Sequence, residues 1–127
     1  MRMLAIPVLH VSDSEAAEEY YSGSLGFERR SCYRPHEDRL DPCYLTMYRD
    51  GAWLHLSSFR DDSVVGAAVY LLVEDVDRIY EELKAKGVDA ALEPTDQSWG
   101  NREMYVRDPD GNSIRFVEEL SRSRTGD

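Results

Sequence analysis

Hydrophobic and polar positions follow the same order of patterns twice along the chain. The apolar runs VLHVSD at residues 8–13 and YLLVED at residues 70–75 each end in residues that start helices. Each run is followed by a helical pattern that stops at a glycine, Gly26 in the first half and Gly87 in the second. Three further strand patterns follow each helix. The chain is therefore predicted to contain two βαβββ modules.

Local signals mark the ends of the predicted helices. In the second helix an apolar stripe at i, i+3, i+4 and i+7 is formed by Val76, Ile79, Tyr80 and Leu83. Asp75 is the predicted N-cap of this helix, and Gly87 is predicted to follow its last turn. In the first helix, Ser12 and Glu15 have the spacing of a capping box, which predicts that the helix starts there.

The predicted fold class is α+β, with one domain made of two modules. Strands are predicted at about residues 3–11, 27–34, 42–49 and 52–58, then at about 67–73, 88–93, 101–107 and 112–119. The modules then cover about residues 1–58 and 67–119, with a linker at 59–66 and a flexible tail at 120–127.

Length and charge narrow the range of functions. The 127 residues suit one domain, and 25 acidic against 15 basic residues give a net charge of −10. Nucleic acid and anionic membrane are recognised by clustered Lys and Arg, so neither is an expected partner. No apolar run approaches the roughly 18 residues that span a bilayer. The acidity either attracts a cationic ligand or simply keeps the protein in solution.

The N-terminal segment and the cysteines indicate a cytoplasmic protein. The short apolar stretch of MRMLAIPVLHVSDSE is followed by acidic and helix-capping residues, which predicts a strand and not a signal peptide. Cys32 and Cys43 lack CxxC spacing and are expected to be free thiols in a reducing compartment. A bridge between neighbouring strands is the alternative.

The first functional signal is the hairpin predicted around Asp50-Gly51. A two-residue loop there pairs Tyr48 with Trp53 and places Leu45, Met47, Leu54 and Leu56 on the face under the helix. The opposite face carries Tyr44, Thr46, Tyr48, Trp53, His55 and Ser57. Aromatic rings with hydrogen-bonding tips suit a small-molecule groove, and they equally suit packing on another sheet or subunit.

The second half is predicted to have a matching face. Asp110-Gly111 also resembles a tight strand connection, and the face is expected to carry Tyr70, Leu72, Met104, Val106, Ser113, Arg115 and Val117. Trp99 lies in the loop TDQSWGN before this hairpin. It is either a lid over a ligand or a cap on the end of the core.

Local metal motifs are absent from the sequence. His10, His36 and His55 are far apart, and no HxH, HExxH or CxxC spacing occurs. The adjacent Glu118 and Glu119 point to opposite faces of a strand, so they cannot act as a catalytic carboxylate pair. A metal site assembled from separate strands would leave no such motif.

The chain resembles the vicinal oxygen chelate superfamily, which includes glyoxalase I, ring-cleaving dioxygenases and bleomycin resistance proteins. The resemblance rests on the two βαβββ halves, on IPVLHVSDSEAAEEYYSGSLGFE and GAWLHLSS, and on SWGNREMYVRDPDGNSIRF near the C-terminus. The combination of LHLS, WGxRE and DPDGN is most similar to the resistance proteins. The resemblance implies a curved mixed sheet around a groove, with the helices on the outer face.

The resemblance also implies where the superfamily's metal ligands would lie. The four positions fall at Ile6, His55, Ala68 and Arg115, and of these only His55 has a metal-binding side chain. Arg115 places a cation where the metal charge would be. We therefore expect no cofactor, no metal and no catalytic residue. A glyoxalase-like lyase or another metal-dependent enzyme of the superfamily is the alternative.

The expected function is sequestration of a bleomycin-type antibiotic, a cationic aromatic glycopeptide, in crevices at the interface of a homodimer. Resistance proteins of this kind exchange their N-terminal strand between subunits. The expected ligand-binding residues are Tyr44, Tyr48, Trp53, His55, Trp99, Arg102, Met104 and Arg115. Trp99 or Trp53 would stack on the ligand, and His55 and Arg102 would hydrogen-bond to it. A different, unidentified metabolite is an alternative ligand.

Overall fold

The structure is a computed structural model that describes residues 1–120, and its elements follow the predicted order. The first half contains β1 (Val8–His10), α1 (Ser14–Glu18) continued by a π-helical segment (Glu19–Ser24), β2 (Glu28–Tyr33), β3 (Tyr44–Arg49) and β4 (Ala52–Ser57). The second contains β5 (Ala68–Leu72), α2 (Val76–Ala85), β6 (Leu92–Asp96), β7 (Asn101–Arg107) and β8 (Ser113–Glu119). The tail predicted at residues 120–127 lies outside the described residues from residue 121 onward.

Each half forms a mixed four-stranded sheet, which confirms the α+β class and the two modules. The strand order is β1-β4-β3-β2 in one sheet and β5-β8-β7-β6 in the other. In each sheet one strand pair is parallel, β1 with β4 and β5 with β8, and the other pairs are antiparallel. Contacts divide the described residues into one unit of Met1–Ala67 with Asp108–Asn112 and a second unit of Ala68–Arg107 with residues 113–120. The predicted module and linker boundaries stay predictions.

The first unit has its core on the helix-facing side of its sheet. Leu45, Met47, Leu54 and Leu56 alternate along β3 and β4 and are fully buried, as the alternation predicts. Asp50 and Gly51 both have positive φ, 48° and 91°, as a two-residue type I′ turn requires. This turn sets the predicted pairing of Tyr48 with Trp53.

The start and course of the first helix differ from the prediction. Asp13, and not Ser12, is the N-cap, and its side chain accepts a hydrogen bond from the backbone N–H of Ala16 at 3.0 Å. The backbone N–H of Ser12 donates instead to the carboxylate of Asp110. After Glu18 the helix widens into the π-helical segment, so the predicted capping box is wrong and the regular α-helix is shorter than predicted.

The N-cap of α1 gives a test of local stability. Asp13→Ala removes the acceptor for the Ala16 N–H and is expected to lower the free energy of unfolding by about 1 kcal/mol. Asp13→Asn keeps a side-chain oxygen at the same position and is the matched control, with an expected change near zero. Urea unfolding of both variants measures the difference. Equal destabilisation by the two variants would show that the cap contributes nothing.

The second helix begins and ends as predicted. Asp75 is its N-cap and accepts a hydrogen bond from the N–H of Arg78. At the other end Gly87 has a φ of 81°, its N–H donates to the carbonyl of Lys84, and the N–H of Val88 donates to the carbonyl of Leu83. These two bonds form a Schellman motif, which requires the left-handed conformation that glycine adopts readily.

The connection between β7 and β8 is longer than the tight turn that Asp110-Gly111 suggests. Five residues, 108–112, separate the paired Arg107 and Ser113. The loop is built around the buried carboxylate of Asp108, which accepts hydrogen bonds from the backbone N–H groups of Asp110 and Asn112, from the Asn112 amide and from the Tyr21 hydroxyl. This loop length fixes the register of the second hairpin.

Two strand boundaries also differ. β1 covers Val8–His10 and not the predicted 3–11, and β6 covers Leu92–Asp96 and not 88–93. None of the helices within residues 1–120 is long and apolar enough to span a bilayer.

Candidate functional site

Each sheet has an open face, opposite its helix, and the two faces are described separately. The first open face is formed by the predicted residues of β3 and β4, which the strand register brings side by side: Tyr44, Thr46, Tyr48, Trp53, His55 and Ser57. Ser57 is buried, and the other five are partly exposed. The prediction for this hairpin face is therefore confirmed, whereas the ligand-binding role of its residues stays a prediction.

A hydrogen-bonded pair lies at the centre of the first open face. The Tyr44 hydroxyl is 2.7 Å from Nδ1 of His55, and the two rings meet edge to face. Burial, and then the nearby charge of Asp62, raise the pKa of Tyr44. Asp62 also accepts a hydrogen bond from the Ser57 hydroxyl at 2.6 Å. The polar groups of this face are therefore hydrogen-bonded to one another in pairs.

The aromatic end of the first open face carries a cation that the sequence did not indicate. The rings of Tyr48 and Trp53 pack with centroids 4.8 Å apart. The guanidinium of Arg30 lies 4.4 Å from the Tyr48 ring centroid and 5.5 Å from that of Trp53. Arg30 is at the irregularity in the β2–β3 pairing, between Arg29 and Ser31. A planar ligand that stacks here must either displace Arg30 or use the remaining ring surface.

The second open face differs from the prediction along β7. The register places Tyr105 opposite Arg115 and Glu103 opposite Val117, whereas Met104 is opposite Phe116. Glu103 and Tyr105 therefore replace Met104 and Val106 on this face. On β5, β7 and β8 the register gives this face Ala68, Tyr70, Leu72, Asn101, Glu103, Tyr105, Arg107, Ser113, Arg115, Val117 and Glu119.

Two predicted ligand-binding residues are consequently on the other side of this sheet. Met104 is completely buried in the core, so it has no surface for a ligand on the open face. Arg102 forms a two-pronged ion pair with Asp77 of α2 and a further bond to Asp96 at 3.0 Å. Hydrogen bonds to Asp77 and then to Asp96 raise the pKa of Arg102. The assignment of Met104 to the open face is wrong, because the register is shifted by one residue. Arg102 lies on the same side of β7 as Met104, and its ligand-binding role stays a prediction.

A buried carboxylate is the centre of the second open face. Glu103 is fully buried. Its Oε2 accepts hydrogen bonds from Trp99 Nε1 at 2.9 Å and from Tyr70 and Asn101 at 3.3 Å, and its Oε1 accepts one from Tyr105 at 2.5 Å. All four donors are uncharged.

The hydrogen bonds determine the ionisation of Glu103. Burial on its own would raise the pKa of this carboxyl group, but the hydrogen bonds from Tyr105, Trp99, Asn101 and Tyr70 favour the ionised form. The net effect is a pKa below the ordinary value. Bonding to Glu103 raises the pKa of Tyr105 in turn.

The lowered pKa of Glu103 predicts a pH effect on stability. A carboxyl group with a lowered pKa stabilises the fold fully above its unfolded pKa of about 4.3, and this contribution is lost as the pH falls through the folded value. Wild-type protein is therefore expected to lose stability more steeply below about pH 4 than Glu103→Gln, whose side chain does not titrate. Urea midpoints measured from pH 7 to pH 3 compare the two. Parallel profiles would contradict the assignment.

The aromatic residues of the second open face are accessible to a ligand. Trp99 has 60% of its surface exposed and Tyr70 has 49%. The guanidinium of Arg115 lies 4.8 Å from the ring centroid of Tyr105, and its Nε donates to the Ser113 hydroxyl at 3.3 Å. Trp99 and Arg115 thus belong to one face, together with Tyr70, Glu103 and Tyr105, which the predicted set of ligand-binding residues omitted.

The residue types do not fit the metal of the superfamily's enzymes. Of the four corresponding positions, Ile6, Ala68 and Arg115 carry no metal-binding side chain, so this set offers a single ligand, the imidazole of His55. Within residues 1–120, the carboxylates of Asp75, Asp77 and Glu118 do come together.

These three carboxylates all have structural partners. Asp75 caps α2, Glu118 accepts from the N–H of Val76, and Asp77 pairs with Arg102. The three carboxylates therefore stabilise the N-terminus of α2, and the guanidinium of Arg102 balances part of their negative charge.

Comparisons with known proteins agree with this geometry. A bleomycin resistance protein of Geobacillus stearothermophilus is 29% identical over 134 residues, which cover 91% of this chain and 96% of the relative. The crystal structure of TnmS3, an antibiotic binding protein from Streptomyces sp. CB03234, is 26% identical with a TM-score of 0.74, covering 94% of this chain and 97% of that one.

A third relative and a family model cover nearly the whole chain. The structure of a glyoxalase/bleomycin resistance protein/dioxygenase superfamily member from Sphaerobacter thermophilus is 27% identical, with a TM-score of 0.73 over 94% of this chain and 98% of that one. The family model described as glyoxalase superfamily protein matches residues 2–123. The chain therefore belongs to the glyoxalase superfamily.

Proposed function

We propose that this protein binds an aromatic, cationic antibiotic of the bleomycin type and sequesters it without modifying it. The observation that carries the proposal is the exposed aromatic surface of the second open face, where Trp99 and Tyr70 surround the carboxylate of Glu103. A largely exposed tryptophan with its N–H already bonded offers its ring for stacking. Relatives that are a bleomycin resistance protein and an antibiotic binding protein support this class of ligand.

The negative net charge of the chain also favours a cationic ligand. The chain has a net charge of −10, which attracts a cation at long range. Close to the faces, Arg30 and Arg115 already occupy ring surfaces of Tyr48 and Tyr105. Cation–π contacts with these rings are therefore geometrically available, and a ligand cation would exchange with an arginine that is already there.

Equilibrium dialysis against bleomycin, followed by mass spectrometry of the drug, tests sequestration. We expect the drug to accumulate on the protein side at about one molecule per chain and to keep its mass, with and without a chelator. Even distribution across the membrane would contradict binding. A changed drug mass, or a stoichiometric divalent metal in protein purified without chelator, would favour the alternative of a metal-dependent lyase or related enzyme.

The proposal includes a homodimer in the cytoplasm, with the ligand in crevices at the subunit interface. The exposed Leu72, Tyr70 and Trp99 on the second open face, and Tyr33 in the first unit, are apolar surface that a partner subunit or a ligand would cover. Light scattering at micromolar concentration is expected to give twice the mass of the chain. A monomeric mass would contradict ligand binding in crevices at a subunit interface. The dialysis experiment would then test whether a single open face binds the drug.

A further inference from the structure

We propose that Glu103 is a positioning residue that holds Trp99, Tyr70 and Tyr105 in a binding-ready arrangement on the second open face. The role in ligand affinity rests on the proposed function, whereas the positioning itself concerns the free protein. The carboxylate of Glu103 accepts a hydrogen bond from each of the three aromatic side chains. No other contact described on this face connects the three rings to a common group within residues 1–120.

The donors reach Glu103 from separate parts of the unit. Tyr70 lies on β5, Trp99 lies in the loop between β6 and β7, and Tyr105 lies two residues further along β7 than Glu103 itself. Trp99 Nε1 is 2.9 Å from Oε2, and the Tyr105 hydroxyl is 2.5 Å from Oε1. The carboxylate therefore joins an edge strand, a loop and a central strand.

Glu103 and the aromatic rings that donate to it differ in their exposure to solvent. Glu103 is fully buried, while Trp99 is 60% exposed and Tyr70 is 49% exposed. A tryptophan this exposed on a hairpin loop would ordinarily move among several rotamers. The bond from its indole N–H to a buried acceptor restricts the ring to the open face. Affinity then benefits because less side-chain freedom is lost when a ligand stacks on it.

A purely structural role accounts less well for a carboxylate at this position. A buried ionised group carries a large desolvation cost, and here hydrogen bonds from four neutral donors offset that cost without an ion pair. Its neighbour across the strand pair is Val117, and an apolar side chain at residue 103 would suit that contact. The carboxylate is instead the group that satisfies every aromatic donor on this face.

The test compares Glu103→Leu, which removes the acceptor, with Glu103→Gln, which retains an oxygen able to accept from Trp99. Both are made in a Trp53→Phe background so that Trp99 is the one tryptophan. Proton exchange of the Trp99 indole N–H by NMR and fluorescence anisotropy are measured without ligand, and bleomycin affinity is measured by calorimetry.

In the Trp53→Phe parent we expect slow indole exchange and high anisotropy. Glu103→Leu should lose both and bind bleomycin about tenfold more weakly, while Glu103→Gln should restore both and bind within about threefold of the parent. Indole exchange in the parent as fast as in free tryptophan would overturn the proposal even if the leucine variant fails to fold. Slow exchange in a folded Glu103→Leu would also overturn it.

The ligand-free readouts keep the two proposals separate. If bleomycin does not bind the wild-type protein, the proposed function fails, while exchange and anisotropy in the Trp53→Phe parent still decide whether Glu103 positions Trp99. If bleomycin binds all three proteins equally while the indole is released in Glu103→Leu, the part of the inference that concerns affinity is overturned.

Discussion

Replacing Asp108 by alanine is expected to lower the free energy of unfolding by about 3–4 kcal/mol. The substitution leaves two backbone N–H groups, the Asn112 amide and the Tyr21 hydroxyl without their acceptor in a buried loop. Each unsatisfied buried donor costs about 1–3 kcal/mol, and partial entry of water reduces the sum. Since a domain has only about 5–15 kcal/mol of stability, this loss is severe.

Urea unfolding of Asp108→Ala beside two controls measures this effect. Tyr21→Phe removes a single donor and is expected to cost about 1–1.5 kcal/mol. Asp110→Ala alters an adjacent loop carboxylate that accepts only from the N–H of Ser12 among the bonds described for it, and should cost less than about 1 kcal/mol. A loss below about 1 kcal/mol in Asp108→Ala would mean that the loop does not depend on its carboxylate.

Trp99→Ala is expected to weaken bleomycin binding by about 2 kcal/mol, which is roughly 30-fold in Kd. The indole is 60% exposed on the second open face, and its N–H is already bonded to Glu103. Truncation therefore removes both the stacking surface and the orientation that the hydrogen bond provides. The free protein is expected to lose about 1–2 kcal/mol of stability, because the buried carboxylate of Glu103 loses one of its four donors, while the ring itself contributes little buried area.

Trp99→Phe is the matched control for this substitution. It keeps an aromatic ring but loses the indole N–H, so its affinity should fall between those of the wild type and Trp99→Ala. Trp53→Ala gives a contrast, because Trp53 packs on Tyr48 beside Arg30, and its loss should affect stability as well as binding. Calorimetric affinities of Trp99→Ala within twofold of the wild type would exclude Trp99 as a stacking residue.

The difference between the two hairpins explains why the sequence predicted one open face correctly and the other only in part. In the first hairpin Asp50 and Gly51 adopt the two positive φ angles of a two-residue turn, so the loop length is encoded by the dipeptide itself. In the second, the side chain of Asp108 organises a five-residue loop, and the strands pair one residue away from the register of a two-residue loop. A shift of one residue exchanges the faces.

The residues that the sequence missed depend on contacts between distant segments. Once the register is known, the alternation of Asn101, Glu103 and Tyr105 identifies the polar cluster on β7, but nothing local fixes that register. Arg30 reaches Tyr48 and Trp53 from an irregularity in strand pairing, for which the sequence carries no turn signal. The π-helical segment similarly lacks a local signal, and within it the Tyr21 hydroxyl donates a hydrogen bond to Asp108, far away in the sequence.

Helix ends were predicted well where one residue type meets a strict backbone requirement. Gly87 adopts a positive φ in the Schellman motif, and Asp75 bonds to the N–H of Arg78. At α1 two candidate caps, Ser12 and Asp13, are adjacent in the sequence, and Asp110 takes the N–H of Ser12. Ser12 and Asp13 are both acceptable N-caps by residue type, and the long-range bond between Ser12 and Asp110 accompanies the use of Asp13.

Calorimetric titration of the chelator-treated protein with bleomycin tests the central claim most directly. The account predicts saturable binding of one drug molecule per chain, with the same affinity before and after removal of divalent metal. Binding that requires added metal, or no binding at concentrations well above those of the protein, would contradict metal-independent sequestration of this class of antibiotic.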